Sequence, residues 1–173
     1  SRRALLFLHP TSPGSSCGCG VAHEDLGYPR PMMEFMFDTT RTVTDMVLSG
    51  VVDRYPELTL LVPHAGAMLP ILVNRIDSIA RMTADPEKAP PASMREAIKA
   101  MHFDLAGMPV PLQLHNLLTV ADPQKLHYGS DMPFTPTLAC IRLVEALDTA
   151  ESLTPEMRAD VMKNNSERLF GRA

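Results

Sequence analysis

The stretch Leu126-His127-Tyr128-Gly129-Ser130-Asp131-Met132-Pro133-Phe134 decides how the rest of the chain is read. A short apolar run ends in a glycine, a small residue, a single carboxylate and a proline. At this length, that bounded run suits a buried parallel strand better than a helix. Asp131 then falls just past the strand's C-terminal end, the edge at which parallel α/β folds carry their chemistry. In the same way Leu5-Leu6-Phe7-Leu8 leads into His9-Pro10, and Leu58-Thr59-Leu60-Leu61-Val62 leads into Pro63-His64-Ala65-Gly66. A strand followed by a metal-competent side chain thus occurs three times.

Outward from these points, strands are expected over 4–8, 58–62, 101–105 and 125–128, with helices between them. Residues 10–31 read as a long loop rich in Pro, Gly and Ser. Phe35, Met36, Thr39, Val43, Met46 and Val47 recur at helical spacing, and Gly50 is placed to stop that helix. A helix over 68–82 is expected to bury Ile71, Leu72, Ile76, Ile79 and Ala80. Ser93 is placed to cap a helix to Ala100, and Pro111 to start one through Leu118. A helix begins at Thr135 or Thr137 and runs to Leu147. Thr154-Pro155 caps another to Met162, and residues 164–171 form a terminal turn or short helix. Met32, Met33, Met36 and Met46 are expected in the core. Strand alternating with helix, with every connection long enough for a crossover, implies α/β architecture with a parallel sheet. Four such units make half of a (β/α)8 barrel of about 250 residues.

The 173 residues suit one domain, and a hydrophobic share of 45% describes an ordinary globule rather than a disordered chain. A formal charge of −4 argues against nucleic acid as the main partner, because phosphate binding needs a basic face. No apolar run approaches a membrane span. Ser1-Arg2-Arg3 before a short apolar segment does not make a signal peptide, because the segment runs straight into His9-Pro10. Cys17, Cys19 and Cys140 cannot all pair within the chain, so a reducing, cytoplasmic setting is expected.

His9, His64 and Asp131 would converge over one barrel mouth. Neutral imidazoles and a carboxylate are ordinary zinc ligands, and a catalytic zinc keeps one position open. A single histidine or aspartate at a strand end more often only caps a turn; three at equivalent positions favour a metal site. Phe7-Leu8-His9-Pro10, the run from Val62 to Pro70, Phe103-Asp104-Leu105-Ala106-Gly107, the run from Tyr128 to Phe134, the run from Phe37 to Asp45 and Asn165-Ser166-Glu167-Arg168-Leu169-Phe170-Gly171 together resemble the amidohydrolase superfamily. The resemblance is greatest to its aminocarboxymuconate-semialdehyde decarboxylase-like branch, and within that to 6-methylsalicylate and γ-resorcylate decarboxylases. It implies a partial TIM barrel holding about the last four β/α units. It makes His9 and Asp131 ligands of a divalent metal (zinc, or manganese), and His64 and Asp131 the catalytic proton carriers. The reaction implied is non-oxidative decarboxylation of an aromatic or unsaturated carboxylic acid. Members of the family begin with a strand bearing His-x-His or Glu-x-His, and no such pair occurs here. Residues 1–173 are accordingly expected to be the C-terminal portion of one metal-dependent barrel domain. That domain is completed by a preceding segment or by a second copy in a homo-oligomer; the chain also starts without methionine and almost directly on a strand.

Other readings attach to the same residues. The same site could hydrolyse an ester, lactone or amide, or the chain could be an inactive fragment or interaction module. Gly14-Ser15-Ser16-Cys17-Gly18 fits a nucleophile elbow in pattern but lacks its strand-and-helix frame. Cys17, Cys19 and His23 lack structural zinc spacing. His102 and His127 are expected to face the helical layer, and His23 and His115 solvent. Asp104 points either into the site or to backbone. Arg30 and Arg41 are candidates to hold a substrate carboxylate, though solvated positions suit each better.

Overall fold

The structure is a computed structural model and describes residues 4–11, 27–87 and 89–171. The elbow-like stretch, Cys17, Cys19 and His23 lie outside the described residues. In chain order the elements are β1 (Ala4–Phe7), α1 (Glu34–Leu48), α2 (Val51–Arg54), β2 (Leu58–Val62), α3 (Leu69–Met82), α4 (Met94–Ala100), β3 (His102–Asp104), α5 (Leu112–Leu118), β4 (Leu126–His127), α6 (Thr137–Asp148), α7 (Pro155–Ala159) and α8 (Asn165–Phe170). The four strands form one parallel sheet in the order β1-β2-β3-β4. Ala4 pairs with Leu58, Leu61 with His102 and Phe103 with Leu126. The ladder continues one step past two strands, with Leu8 N–H donating to Leu61 O and Leu105 N–H to His127 O. This register brings all four C-terminal strand ends, and the loops that follow them, to one edge.

Leu60, Val62, Phe103 and Leu126 pack against Val43 and Val47 of α1, Leu69 and Val73 of α3, Met94 and Ile98 of α4, and Leu114 and Leu117 of α5, all buried. Burying such side chains stabilises by about 1.5–3 kcal/mol each. Local chemistry fixes the helix ends. Gly50 has φ 74° immediately after the Ser49 C-cap of α1, a conformation a Cβ disfavours. Thr154 Oγ1 accepts from Met157 N–H to start α7. Ser93 Oγ accepts from Glu96 N–H. Buried Asp77 of α3 accepts from Met94 N–H at 2.7 Å and Arg95 N–H at 3.3 Å, placing a carboxylate on the amides that open α4.

Two expectations about the core are corrected. The buried stripe of α3 is Leu69, Pro70, Val73 and Asp77, while Ile71 and Ile79 are exposed. The tie from Asp77 to α4 fixes the rotation of α3, and hydrophobic spacing alone did not select it. Met32 and Met33 are exposed rather than core, because a 3-10 turn, Arg30–Met32, precedes α1 instead of the helix itself. A further departure follows α7. The chain does not end its helix at Met162 but passes through a π turn, Asp160–Asn164, straight into α8. Among the described residues no helix is long and apolar enough to cross a membrane.

Candidate active site

His9 stands two residues past β1, His64 two past β2, and Asp131 four past β4. The sheet edge brings them together. His9 Nε2 lies 3.2 Å from Asp131 Oδ1, and the His9 and His64 rings are 5.8 Å apart, tilted by 55°. One nitrogen or oxygen from each of the three residues lies within 4.8 Å of the others. That is close to the spread of donors around one divalent ion bound at about 2.1 Å.

Each side chain is aimed by a constrained backbone. Asp131 has φ 57°, and its Oδ2 accepts from Thr135 Oγ1 at 3.1 Å, leaving Oδ1 toward His9. His64 opens a 3-10 turn, His64–Gly66, that leaves β2 through four successive positive φ values: His64 55°, Ala65 51°, Gly66 75° and Ala67 54°. Two groups hold this turn. Asp104 Oδ1 accepts from His64 N–H at 2.9 Å and Ala106 N–H at 3.0 Å. Gln113 Nε2 donates to His64 O at 2.6 Å and Ala67 O at 3.2 Å. Asp104 therefore takes the backbone-bracing role rather than facing the cavity. Gly129 permits this, since a Cβ there would sit 2.9 Å from Asp104 Cβ.

His64 is 7% exposed, and among the described residues its buried Nδ1 has no hydrogen-bond partner. A buried polar nitrogen without a partner costs free energy, and a bound ion or substrate atom relieves that cost. Burial lowers the pKa of His64, opposed by the negative charges of Asp104 and Asp131. The clustered donors and the support of Asp131 by Thr135 fit a divalent metal.

These residues line a cavity of about 650 Å3 whose remaining wall includes Pro10, Pro31, Met32, Phe35, Met36, Gln113 and Phe134. Phe134 stacks on His9 at 5.9 Å. Among the described residues that line it, none is Lys or Arg. Arg41 does not reach the cavity. It is exposed and paired with Asp38 at 2.9 Å. Arg30 opens the turn whose Pro31 and Met32 form the wall, without lining the cavity itself. His102 and His127 lie away from it, Nδ1 to Nε2 at 2.8 Å, and His127 Nδ1 meets Ser166 Oγ at 3.0 Å. His115 is exposed on α5. Sequence reasoning missed Gln113, Thr135, Phe134 and Phe35 as site residues; only Thr135, one turn past Asp131, carried a local signal.

The family model described as Amidohydrolase matches residues 8–172. The chain belongs to the amidohydrolase family. It is 29% identical over 171 residues to a 6-methylsalicylic acid decarboxylase of Penicillium expansum, a match covering 99% of this chain and 51% of that protein. The crystal structure of an amidohydrolase II superimposes with a TM-score of 0.85 at 32% identity, over 98% of this chain and 52% of that one. A dihydroxybenzoic acid decarboxylase from a Polaromonas species, solved with bound manganese and the inhibitor 2-nitroresorcinol, gives 0.78 at 20% identity, over 98% and 50%. At that identity the likeness shows the fold alone. The chain spans about half the length of the curated relatives it matches. Four strand–helix units covering half of such amidohydrolases are what a partial (β/α)8 barrel provides.

Proposed function

We propose that this chain carries the metal-holding and proton-handling part of a non-oxidative decarboxylase acting on an aromatic or unsaturated carboxylic acid. The convergence of His9, His64 and Asp131 on one aromatic-walled cavity carries the reading, and the decarboxylase relatives choose the reaction. His9 and Asp131 are the metal ligands in this proposal. A divalent ion there, zinc or manganese, supplies positive charge for the substrate's carboxylate and neighbouring oxygens. Phe35, Phe134 and Met32 flank the ring. His64, fixed beside Asp131 and able to hold a proton on its imidazole, delivers one to the ring carbon as the bond to carbon dioxide breaks and its electron pair stays on that carbon. Asp131 relays that proton. Residues 1–173 form, on this reading, the C-terminal portion of one barrel domain, whose further strands, or a second copy, cover the exposed β1. A cytoplasmic setting accords with Cys140, which is free and buried.

Hydrolysis of an ester, lactone or amide is the alternative use of the same donors, and the relatives favour the lyase. The test measures carbon dioxide release from 6-methylsalicylate and 2,6-dihydroxybenzoate beside hydrolysis of aryl esters and lactones. Carbon dioxide release that falls by about a hundredfold or more in His64→Asn supports the proposal. Turnover of esters alone, or undiminished release in that variant, overturns it.

A further inference from the structure

We propose that Gln113 is a positioning residue for His64, closing a clamp of which Asp104 is the other jaw. The peptide of His64 is gripped on both sides. Its N–H donates to buried Asp104 on β3, and its carbonyl accepts from Gln113 on α5. The same Gln113 nitrogen reaches Ala67 O, so one amide bridges the first and last residues of the positive-φ run. Both of its partners are carbonyl oxygens, which settles that the –NH2 end faces the turn, and only a side chain with two adjacent N–H donors makes this bridge. Gln113 stands in the first turn of α5, whose Leu114 and Leu117 are buried in the core, so the clamp is anchored to a rigid element. Releasing either jaw frees the turn toward ordinary φ values and swings the imidazole, because a residue's Cβ direction follows its own φ and ψ. Gly107 bounds the ring on a further side, where a Cβ would lie 3.3 Å from His64 Cδ2.

The effect of Gln113 on turnover rests on the decarboxylase reading; its effect on the backbone does not, and the two are measured separately. Gln113→Met and Gln113→Glu keep the side chain's length and remove both donors. Native-state hydrogen exchange by NMR is expected to speed at the amides of 64–67 by about tenfold in each, with the amide of Leu117 unchanged. In the same variants kcat for carbon dioxide release is expected to fall by about tenfold while KM stays within about twofold. Asn116→Ala, which removes only a bond from the side chain to Leu112 O within α5, is the control and leaves both readouts unchanged. Unaltered exchange at 64–67 in both variants overturns the clamp even if the protein proves to catalyse another reaction. A rise in KM with kcat intact also overturns it, by making Gln113 a substrate contact.

Discussion

His64, Ala65 and Ala67 hold positive φ values without being glycine, at a cost of about 1–3 kcal/mol each. The bond to the Asp104 carboxylate contributes about 1.5–3 kcal/mol and the two from Gln113 about 0.5–1.5 each, which offsets most of that strain. The conformation therefore depends on Asp104, and Asp104 depends on the absence of a side chain at Gly129. Gly129→Ala places a methyl 2.9 Å from Asp104 Cβ and 3.1 Å from its Cγ, against a buried group with nowhere to retreat. It is expected to destabilise by about 1–3 kcal/mol, read as a lower urea midpoint. An unchanged midpoint would show that Asp104 yields freely. His9, His64 and Asp131 were legible because each closely follows a short apolar run that suits a strand better than a helix. Gln113 was not, because its partners are 46 and 49 residues away and nothing local marks a donor meant for another element's carbonyls. Asp104 left two orientations open, and the His64 amide decided between them.

Among the elements, the π turn before α8 shows how a helix is fastened to the strand that presents Asp131. Asn165 N–H donates to Asp160 O, one residue beyond its regular acceptor, Val161. The carbonyl of Val161, released from the helix, accepts from Tyr128 N–H at 2.8 Å. Asn165 Nδ2 donates to Leu126 O, and Ser166 Oγ meets His127, so α8 grips β4 along its length. Continuous helix signals could not reveal a one-residue slip, although the strand and both flanking helices were legible. This junction carries a pH response. Burial holds the pKa of His127 down at about 4, helped by the positive charges of His102 and Arg168. The folded protein thus keeps His127 neutral at a pH where the unfolded chain, with an ordinary value near 6.5, takes up a proton. Stability is present above about pH 6.5 and falls as pH drops toward 4, by up to about 3 kcal/mol for this one group. His102, also lowered by burial, adds to the same slope. Urea unfolding across that window is expected to show the decline, and His127→Gln to flatten part of it. A profile equally steep in that variant would assign the response elsewhere. At the cap of α7, Thr154→Ala is expected to cost about 1 kcal/mol in the same measurement.

For the whole molecule, alternation of strand and helix made the parallel sheet legible, since each connection is long enough for a crossover. The rotation of α3 escaped because two overlapping apolar stripes share its surface, and a buried carboxylate chose between them. Leu5, Leu6 and Phe7 of β1 are exposed, which leaves a strand edge and an apolar face suited to further strands. On the reading proposed here, residues 1–173 alone hold a divalent ion weakly and associate in solution, because two ligands and a nearby histidine form less than a full catalytic site. Light scattering and metal analysis of that chain check this; a monomer retaining one zinc against a moderate chelator would contradict it. The central claim is that decarboxylation depends on a metal held through His9 and Asp131. Its most direct test is carbon dioxide release from 6-methylsalicylate by the protein carrying this sequence, stripped with chelator and then given zinc or manganese. The account predicts that release stops on stripping, returns with one of the two ions, and does not return in Asp131→Ala. Release that persists in the stripped protein, or returns equally in Asp131→Ala, would contradict it.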